Sequence, residues 1–227
     1  MKQFPLLIIS AILLIIPFTS SSGQDESHDF RIYTRAGVKV NIIEGLSNTT
    51  DLELRTKNNS SKIDNYRLNT SFSYRVCKYF NAAIGYALIA KPNNGETILS
   101  NRYWIDATGI LPVSHFSISL RERFQQTFSL GEVGTLLRSE LKCQYTIPNS
   151  IFKPYISAEP HIYLGDLVSE GRVKEVRYNI GTSISINENN DLQVYGRYTQ
   201  NPDFTILGLE RRAPDYFILG VNYYYKF

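Results

Sequence analysis

The chain has 227 residues, with 24 lysines and arginines against 21 aspartates and glutamates. This near balance of charge excludes the basic patch of a nucleic-acid-binding protein, and the length fits one domain. The two cysteines, Cys77 and Cys143, have no metal-ligand spacing.

Residues 1–23 have the order of a secretory signal peptide. Lys2 gives a positive start, residues 6–18 form an apolar run, and the small residues after it provide a cleavage site before Gln24. The run is shorter than the roughly 20 apolar residues that a membrane-spanning helix needs, and an uncleaved anchor is the alternative. We therefore predict a cleaved signal peptide, followed by one domain over residues 24–227.

The mature chain has the periodicity of strands rather than of helices. No later stretch approaches roughly 18 apolar residues, and segments of alternating polarity recur about every 15–20 residues. Such a chain could span a membrane only as a closed barrel, because open sheet edges cannot face hydrocarbon. In chain order, the predicted strands are Phe30–Ile43, Thr49–Asn58, Tyr66–Val76, Phe80–Ala90, Asn101–Leu111, His115–Phe128, Leu136–Ile147, Phe152–Leu164, Val176–Ile186, Leu192–Gln200 and Pro214–Phe227.

The last segment shows the alternation most clearly. Phe217, Leu219 and Tyr223 share a face that is wholly apolar or aromatic. Asn222 and Lys226 lie on the opposite, mixed face, because successive side chains of a strand point to opposite sides. An outer-membrane barrel has this pattern, with apolar side chains toward lipid, polar ones toward the lumen and aromatic ones at the water boundary.

Three segments depart from a clean alternation. Glu122 falls on the apolar face of the sixth segment. In the fifth, Trp104 shares a side with Arg102, so the faces are less distinct. The eighth carries Pro154 and Pro160 and is predicted to be the least regular strand, because proline cannot donate to the ladder.

The connections between the predicted strands alternate in length. The short ones are at 45–48, 77–79, 111–114, 148–150 and 187–189. The longer ones are at 59–63, 92–98, 129–133, 165–171 and 201–213. Outer-membrane barrels pair short periplasmic turns with longer external loops, so we predict a periplasmic C-terminus.

The number of strands is open between ten and twelve. Eleven segments are visible, whereas bacterial single-chain barrels have an even number of strands. Twelve, the preferred count, requires a break in the first segment near Ala36 and Gly37. Ten would leave one segment outside the wall, and eleven would close the barrel with its first and last strands parallel.

Charged side chains of both signs recur on the predicted inner face, and arginine is common among them. The favoured interpretation is a lumen braced by ion pairs, because buried charges are tolerated when they are paired. The alternative is a binding site or narrow pore for an anionic solute. Ten to twelve strands lie between a filled interior and an open channel, so we predict a constricted or plugged lumen. The lumen-facing candidates are Arg55, Arg67, Arg75, Arg102, Asp106, Arg121, Arg123, Arg138, Glu140, Glu159, His161 and Arg177.

Motifs of enzymes and metal sites are not visible in the sequence. His161, beside Glu159 and Tyr163 on the inner face, is interpreted as a hydrogen-bonding residue of the lumen rather than a catalytic one. We therefore predict no catalytic residue, no metal site and no cofactor. Cys77 in a turn and Cys143 on an apolar face are interpreted as incidental, with a disulfide between them as the alternative.

Several short features of the mature chain together point to one family. They are the first strand over Asp29–Val40, the Leu54-Arg55 pair, the Gly85-Tyr86 pair, Arg102, and the terminal Tyr225-Lys226-Phe227. On these features the chain resembles a family of uncharacterised Gram-negative outer-membrane barrels, catalogued as a domain of unknown function. The resemblance covers nearly the whole mature chain. It implies a barrel in the outer membrane, and it carries no activity or site residues.

The expected function is that of an integral outer-membrane barrel, non-enzymatic, with a narrow lumen and a transport or scaffold role. The first alternative is a barrel enzyme that acts on lipids or the cell surface, and the second is a secreted, soluble, lipocalin-like barrel. The expected partners are outer-membrane lipid, the outer-membrane assembly machinery through Phe227, and a small solute. Nucleic acid is not expected as a partner.

Overall fold

The computed structural model describes residues 29–164, 173–201 and 215–227. The predicted signal peptide and the start of the last predicted segment, Pro214, lie outside these residues. Among the described residues, no helix is long and apolar enough to cross a membrane. The described chain forms eleven strands: β1 (Asp29–Ile43), β2 (Leu46–Lys57), β3 (Lys62–Cys77), β4 (Phe80–Asn93), β5 (Glu96–Val113), β6 (Phe116–Ser129), β7 (Glu132–Tyr145), β8 (Phe152–Leu164), β9 (Val173–Ser185), β10 (Asn190–Gln200) and β11 (Tyr216–Lys226).

The strands form a closed barrel in which each strand pairs with its sequence neighbours. These neighbouring pairs are antiparallel, as adjacent strands joined by hairpins must be. The barrel is closed by β1 and β11, which run parallel from the Asp29–Tyr216 pair to the Lys39–Lys226 pair. Parallel closure places the start of β1 and the end of β11 at opposite ends of the barrel. An all-β antiparallel barrel is therefore confirmed, with one parallel pair.

The preferred count of twelve strands is wrong. Residues 36 and 37 do not break the first segment, because β1 pairs through them with both β2 and β11. Gly37 instead allows a close approach, since a Cβ there would lie 2.5 Å from the Cβ of its cross-strand partner Asp51. The glycine that looked like a strand break is thus a packing position within a continuous strand.

Two connections that were predicted to be longer loops are two-residue hairpins. Asn94 and Gly95 have φ angles of 48° and 89°, and Leu130 and Gly131 have 49° and 83°. Two successive positive φ angles are typical of the type I′ turn, which matches the twist of the flanking strands. The strands therefore extend further than predicted, and the contrast in loop length is much weaker than the sequence indicated.

The wall alternates in exposure as the sequence predicted. In β11, Phe217, Leu219 and Tyr223 are exposed on the outside, whereas Ile218 and Asn222 are buried on the inside. The same alternation leaves large apolar side chains exposed on ten of the eleven strands. The barrel therefore has an apolar outer surface and a more polar interior.

The eighth strand forms in spite of its prolines. Phe152–Leu164 is continuous, but its pairing with β7 is interrupted between the Arg138–His161 and Leu141–Ala158 pairs. Pro160 lies in this gap and has no N–H to donate to the ladder. The predicted irregularity is thus confined to the region around Pro160, where the pairing with β9 also shifts in register just after it, between His161 and Ile162.

Glu122 has a hydrogen-bond partner on the neighbouring strand, and the two cysteines are not bonded to each other. Glu122, the charge on the apolar face of β6, accepts a hydrogen bond of 2.5 Å from the Ser139 hydroxyl of β7. Cys77 at the end of β3 is exposed, Cys143 on β7 is half-buried, and both are free thiols. The two cysteines do not form the alternative disulfide.

Aromatic rings fill the inner face over glycines. The Trp104 ring lies where a Cβ of its cross-strand partner Gly85 would be, and Tyr195 covers Gly220 in the same way. Pairing a ring with a glycine shields the backbone and gives the wall room for a large inward side chain. Trp104 is therefore an interior residue, which explains why it shares a side with Arg102.

Candidate functional site

The barrel encloses a cavity of about 590 Å³ to which every one of the eleven strands contributes at least one side chain. The inward positions of the strands supply this lining because side chains alternate between the two faces of the wall. Among the described residues, ten arginines and two lysines line the cavity, against seven carboxylates. The cavity is therefore crowded, strongly charged and net positive.

Most of the predicted lumen candidates lie together in this cavity. Arg75 does not, because it is exposed near the end of β3, where its N–H donates to the carbonyl of Gly45 in a turn. It shares the parity of the lining residues Arg67 and Ser71, but its position near the end of the strand places it beyond the cavity. The candidates that line the cavity are Arg55, Arg67, Arg102, Asp106, Arg121, Arg123, Arg138, Glu140, Glu159, His161 and Arg177.

Glu159 of β8 is the centre of the largest ion-pair network. It is 2% exposed, and its Oε1 accepts hydrogen bonds of 2.8 Å from both Arg121 and Arg138. Its Oε2 lies 3.1 Å from His161 Nε2 and 4.0 Å from Arg177 Nη1. One buried carboxylate thus compensates arginines from three strands, as the bracing interpretation requires.

His161 lies between two carboxylates. Its Nε2 faces Glu159, and its Nδ1 is 3.0 Å from Glu175 Oε1. Glu175 also pairs with Arg177 at 2.5 Å. Both ring nitrogens are therefore engaged, and neither is free to act as a general base toward a substrate.

A second network connects β1 and β2. Arg55 donates to Glu53 Oε1 through Nε at 2.9 Å and Nη2 at 2.8 Å. Arg35 also reaches Glu53, at 3.1 Å, and lies 3.4 Å from Asp51. Across the barrel, Arg123 of β6 holds Asp106 of β5 with two bonds of 2.6 Å. Arginine suits these positions because its planar fork can hold a carboxylate with two donors.

Three lumen arginines lack a carboxylate partner within the described parts of the chain. Arg67 donates from Nε to Asn65 at 2.6 Å, and Arg102 donates from Nε to Thr127 at 3.0 Å. Arg197 donates from Nε to Asn179 at 2.6 Å. Their contacts position the guanidinium groups through neutral oxygens, and no carboxylate of the described residues is hydrogen-bonded to them.

Several residues that line the cavity were not predicted from the sequence. Arg31, Arg35 and Arg197 lie on strands whose faces had not been assigned, although their inward parity was available. Glu175 has the inward parity of Arg177 but lies before Val176, where the ninth strand was predicted to begin. Lys174 also lines the cavity because the β8–β9 register shifts there, between the Glu175 and Val173 pairs. A bulge of this kind puts two consecutive side chains on one face, and parity alone does not reveal it.

The comparisons with known proteins place the chain in one family. A family model described as "Protein of unknown function (DUF2490)" matches residues 30–206, which is most of the chain. Comparison with curated proteins finds no match.

Proposed function

Because the chain belongs to the DUF2490 family, whose description assigns no activity, we propose a function from the barrel itself. The protein is an integral outer-membrane barrel of a Gram-negative cell, made with a cleaved signal peptide. It is not an enzyme, and its narrow charged lumen gives passage to a small polar solute. The single observation that carries this proposal is the reversed polarity of the wall, with apolar residues outside and ionic networks inside.

The outer surface supports the membrane part of the proposal. Phenylalanine, leucine and isoleucine side chains such as Phe72, Ile105 and Leu120 are 47%, 62% and 49% exposed. Soluble monomers rarely expose contiguous apolar surface of this extent, whereas a lipid-facing wall needs it. Cell fractionation tests this: the protein should sediment with outer membranes and need detergent for extraction. A monodisperse protein in plain buffer would support the soluble lipocalin-like alternative instead.

The lumen supports the transport part. A cavity of about 590 Å³ lined by charged groups can hold small hydrated solutes and excludes large ones. Recording from the purified protein in planar bilayers should give small, discrete conductance steps. If the inserted protein neither conducts ions nor passes solutes in vesicle-swelling assays, the transport role is wrong and a scaffold role remains.

The surroundings of His161 support a non-enzymatic role, because both ring nitrogens already contact carboxylates. Thin-layer chromatography of lipids from wild-type and deletion cells should give identical profiles. A difference that is restored by the wild-type gene but not by a His161→Gln variant would favour the alternative of a lipid-acting enzyme.

A further inference from the structure

The charges of the lumen do not balance. A lumen that is only braced needs a carboxylate for each cation, because an unpaired buried charge is costly. Here the described lining holds twelve arginines and lysines for seven carboxylates. Most of these carboxylates already form ion pairs within the networks around Glu53 and Glu159. A group of cations therefore faces the cavity without an anionic partner from the described chain.

Arg67 and Arg102 are the clearest members of this group. In each, Nε is anchored by a neutral oxygen of Asn65 or Thr127, at 2.6 and 3.0 Å. The terminal nitrogens, with four N–H donors per guanidinium, have no hydrogen-bond acceptor among the described residues, and both side chains line the cavity. These hydrogen bonds hold the two guanidinium groups in place, and their terminal N–H groups remain able to donate to a ligand.

The two arginines flank one strand on the inner face of the wall. Arg67 of β3 pairs with Ile89 of β4, and Arg102 of β5 pairs with Ala87 of β4, two residues away on the same face. Ala87 and Ile89 are apolar and buried, so β4 places no counter-charge between the two arginines. Such an arrangement of like charges in a low-dielectric lumen is unfavourable unless a counter-charge joins it.

We propose that a tetrahedral oxyanion, with the chemistry of phosphate or sulfate, binds in the lumen between Arg67 and Arg102. Arginine forks match the oxygens of such an anion with paired hydrogen bonds, which chloride cannot accept in the same geometry. The inference rests on the proposed passage of a small solute and names the class of that solute.

The experiment uses the full mature protein purified in a zwitterionic detergent without phosphate. Thermal unfolding is followed while inorganic phosphate or sulfate is added, with chloride keeping the ionic strength constant. The wild-type protein should gain stability with each oxyanion, and the dependence on concentration gives a dissociation constant. Arg67→Gln and Arg102→Gln should each weaken phosphate binding by roughly tenfold or more, the loss of charge-assisted bonds. Arg102→Lys, which keeps the charge but loses the fork, should be intermediate.

The matched control is Arg75→Gln, which removes an arginine that is exposed outside the cavity. It should bind phosphate like the wild-type protein. Without phosphate, the Arg67 and Arg102 variants should be as stable as the wild type or more so, because like-charge repulsion is removed. This result would show that they fold. The inference is overturned if phosphate acts no better than chloride, or if both glutamine variants bind it normally.

Two further outcomes separate this inference from the transport proposal. If the barrel binds phosphate in detergent but passes no solute in bilayers, the oxyanion site is supported and the transport role is wrong. If the barrel conducts ions but phosphate has no effect on its stability, the transport role is supported and the oxyanion site is wrong. Competition by glycerol phosphate distinguishes the sources, since a site for esterified phosphate should bind it at least as well as the free ion, and a site for free phosphate should not.

Discussion

Glu159 is the residue on which the lumen network most depends. Its carboxylate accepts from Arg121 and Arg138 and contacts His161, and it is almost fully buried. Glu159→Gln would leave these cations without their shared counter-charge, so we expect a loss of about 3–5 kcal/mol in the free energy of unfolding. Denaturant unfolding of the barrel in lipid vesicles measures it. Glu140→Gln is the control, because that side chain is 20% exposed and has one arginine partner, and a similar loss there would contradict the prediction.

Gly85 is required because the Trp104 ring occupies the space that a side chain at this position would need. A Cβ at this position would overlap the Trp104 indole, which is packed inside the barrel. Gly85→Ala should therefore cost about 1–3 kcal/mol of unfolding free energy, as overpacking does. Gly134→Ala on β7, where nothing lies within 4 Å of the added Cβ, should be neutral or slightly stabilising. Equal effects in the two variants would show that the ring does not need the glycine.

Parallel closure is the feature of the strands that is most open to a direct test. With Cys77 and Cys143 changed to serine, cysteines at the Thr34–Val221 pair and, separately, at the Val38–Tyr225 pair should both form disulfides. In a parallel ladder the offset between partners is constant, so both pairs are adjacent, at the Cα separation that a disulfide needs.

An antiparallel closure would bring at most one of these two pairs together. Gel mobility of the unreduced and reduced protein reports the crosslink. Formation of only one disulfide, or of neither, would show that the barrel does not close between β1 and β11 as described.

For the whole molecule, we expect Phe227 to matter for assembly rather than for stability. Phe227 is 68% exposed, and its N–H donates to the Lys39 carbonyl at 2.9 Å. We propose that the outer-membrane assembly machinery binds this exposed aromatic side chain. Phe227→Ala should lower the amount of protein in the outer membrane several-fold, while the refolded variant keeps its stability within about 0.5 kcal/mol. Immunoblots of membrane fractions and unfolding curves separate the two effects, and a normal membrane level would contradict the proposal.

Parity along the chain was enough to predict much of this molecule. It identified a barrel of alternating strands, the apolar exterior, and eleven of the side chains that line the cavity. This succeeded because the direction of a side chain in a strand is a local property, set by the residue's position in the alternation. The same reasoning placed His161 beside Glu159 on the inner face, where the structure has it.

Tertiary structure alone decided how the barrel closes and how its charges meet. The count of eleven depends on pairing between β1 and β11, which are far apart in the sequence, and no local pattern encodes it. The bulge that brings Lys174 inward and the position near a strand end that takes Arg75 out of the lumen depend on register with neighbouring strands. The proximity of Arg67 and Arg102 has the same origin, because the register of β3 and β5 with β4 brings the two side chains together on the inner face.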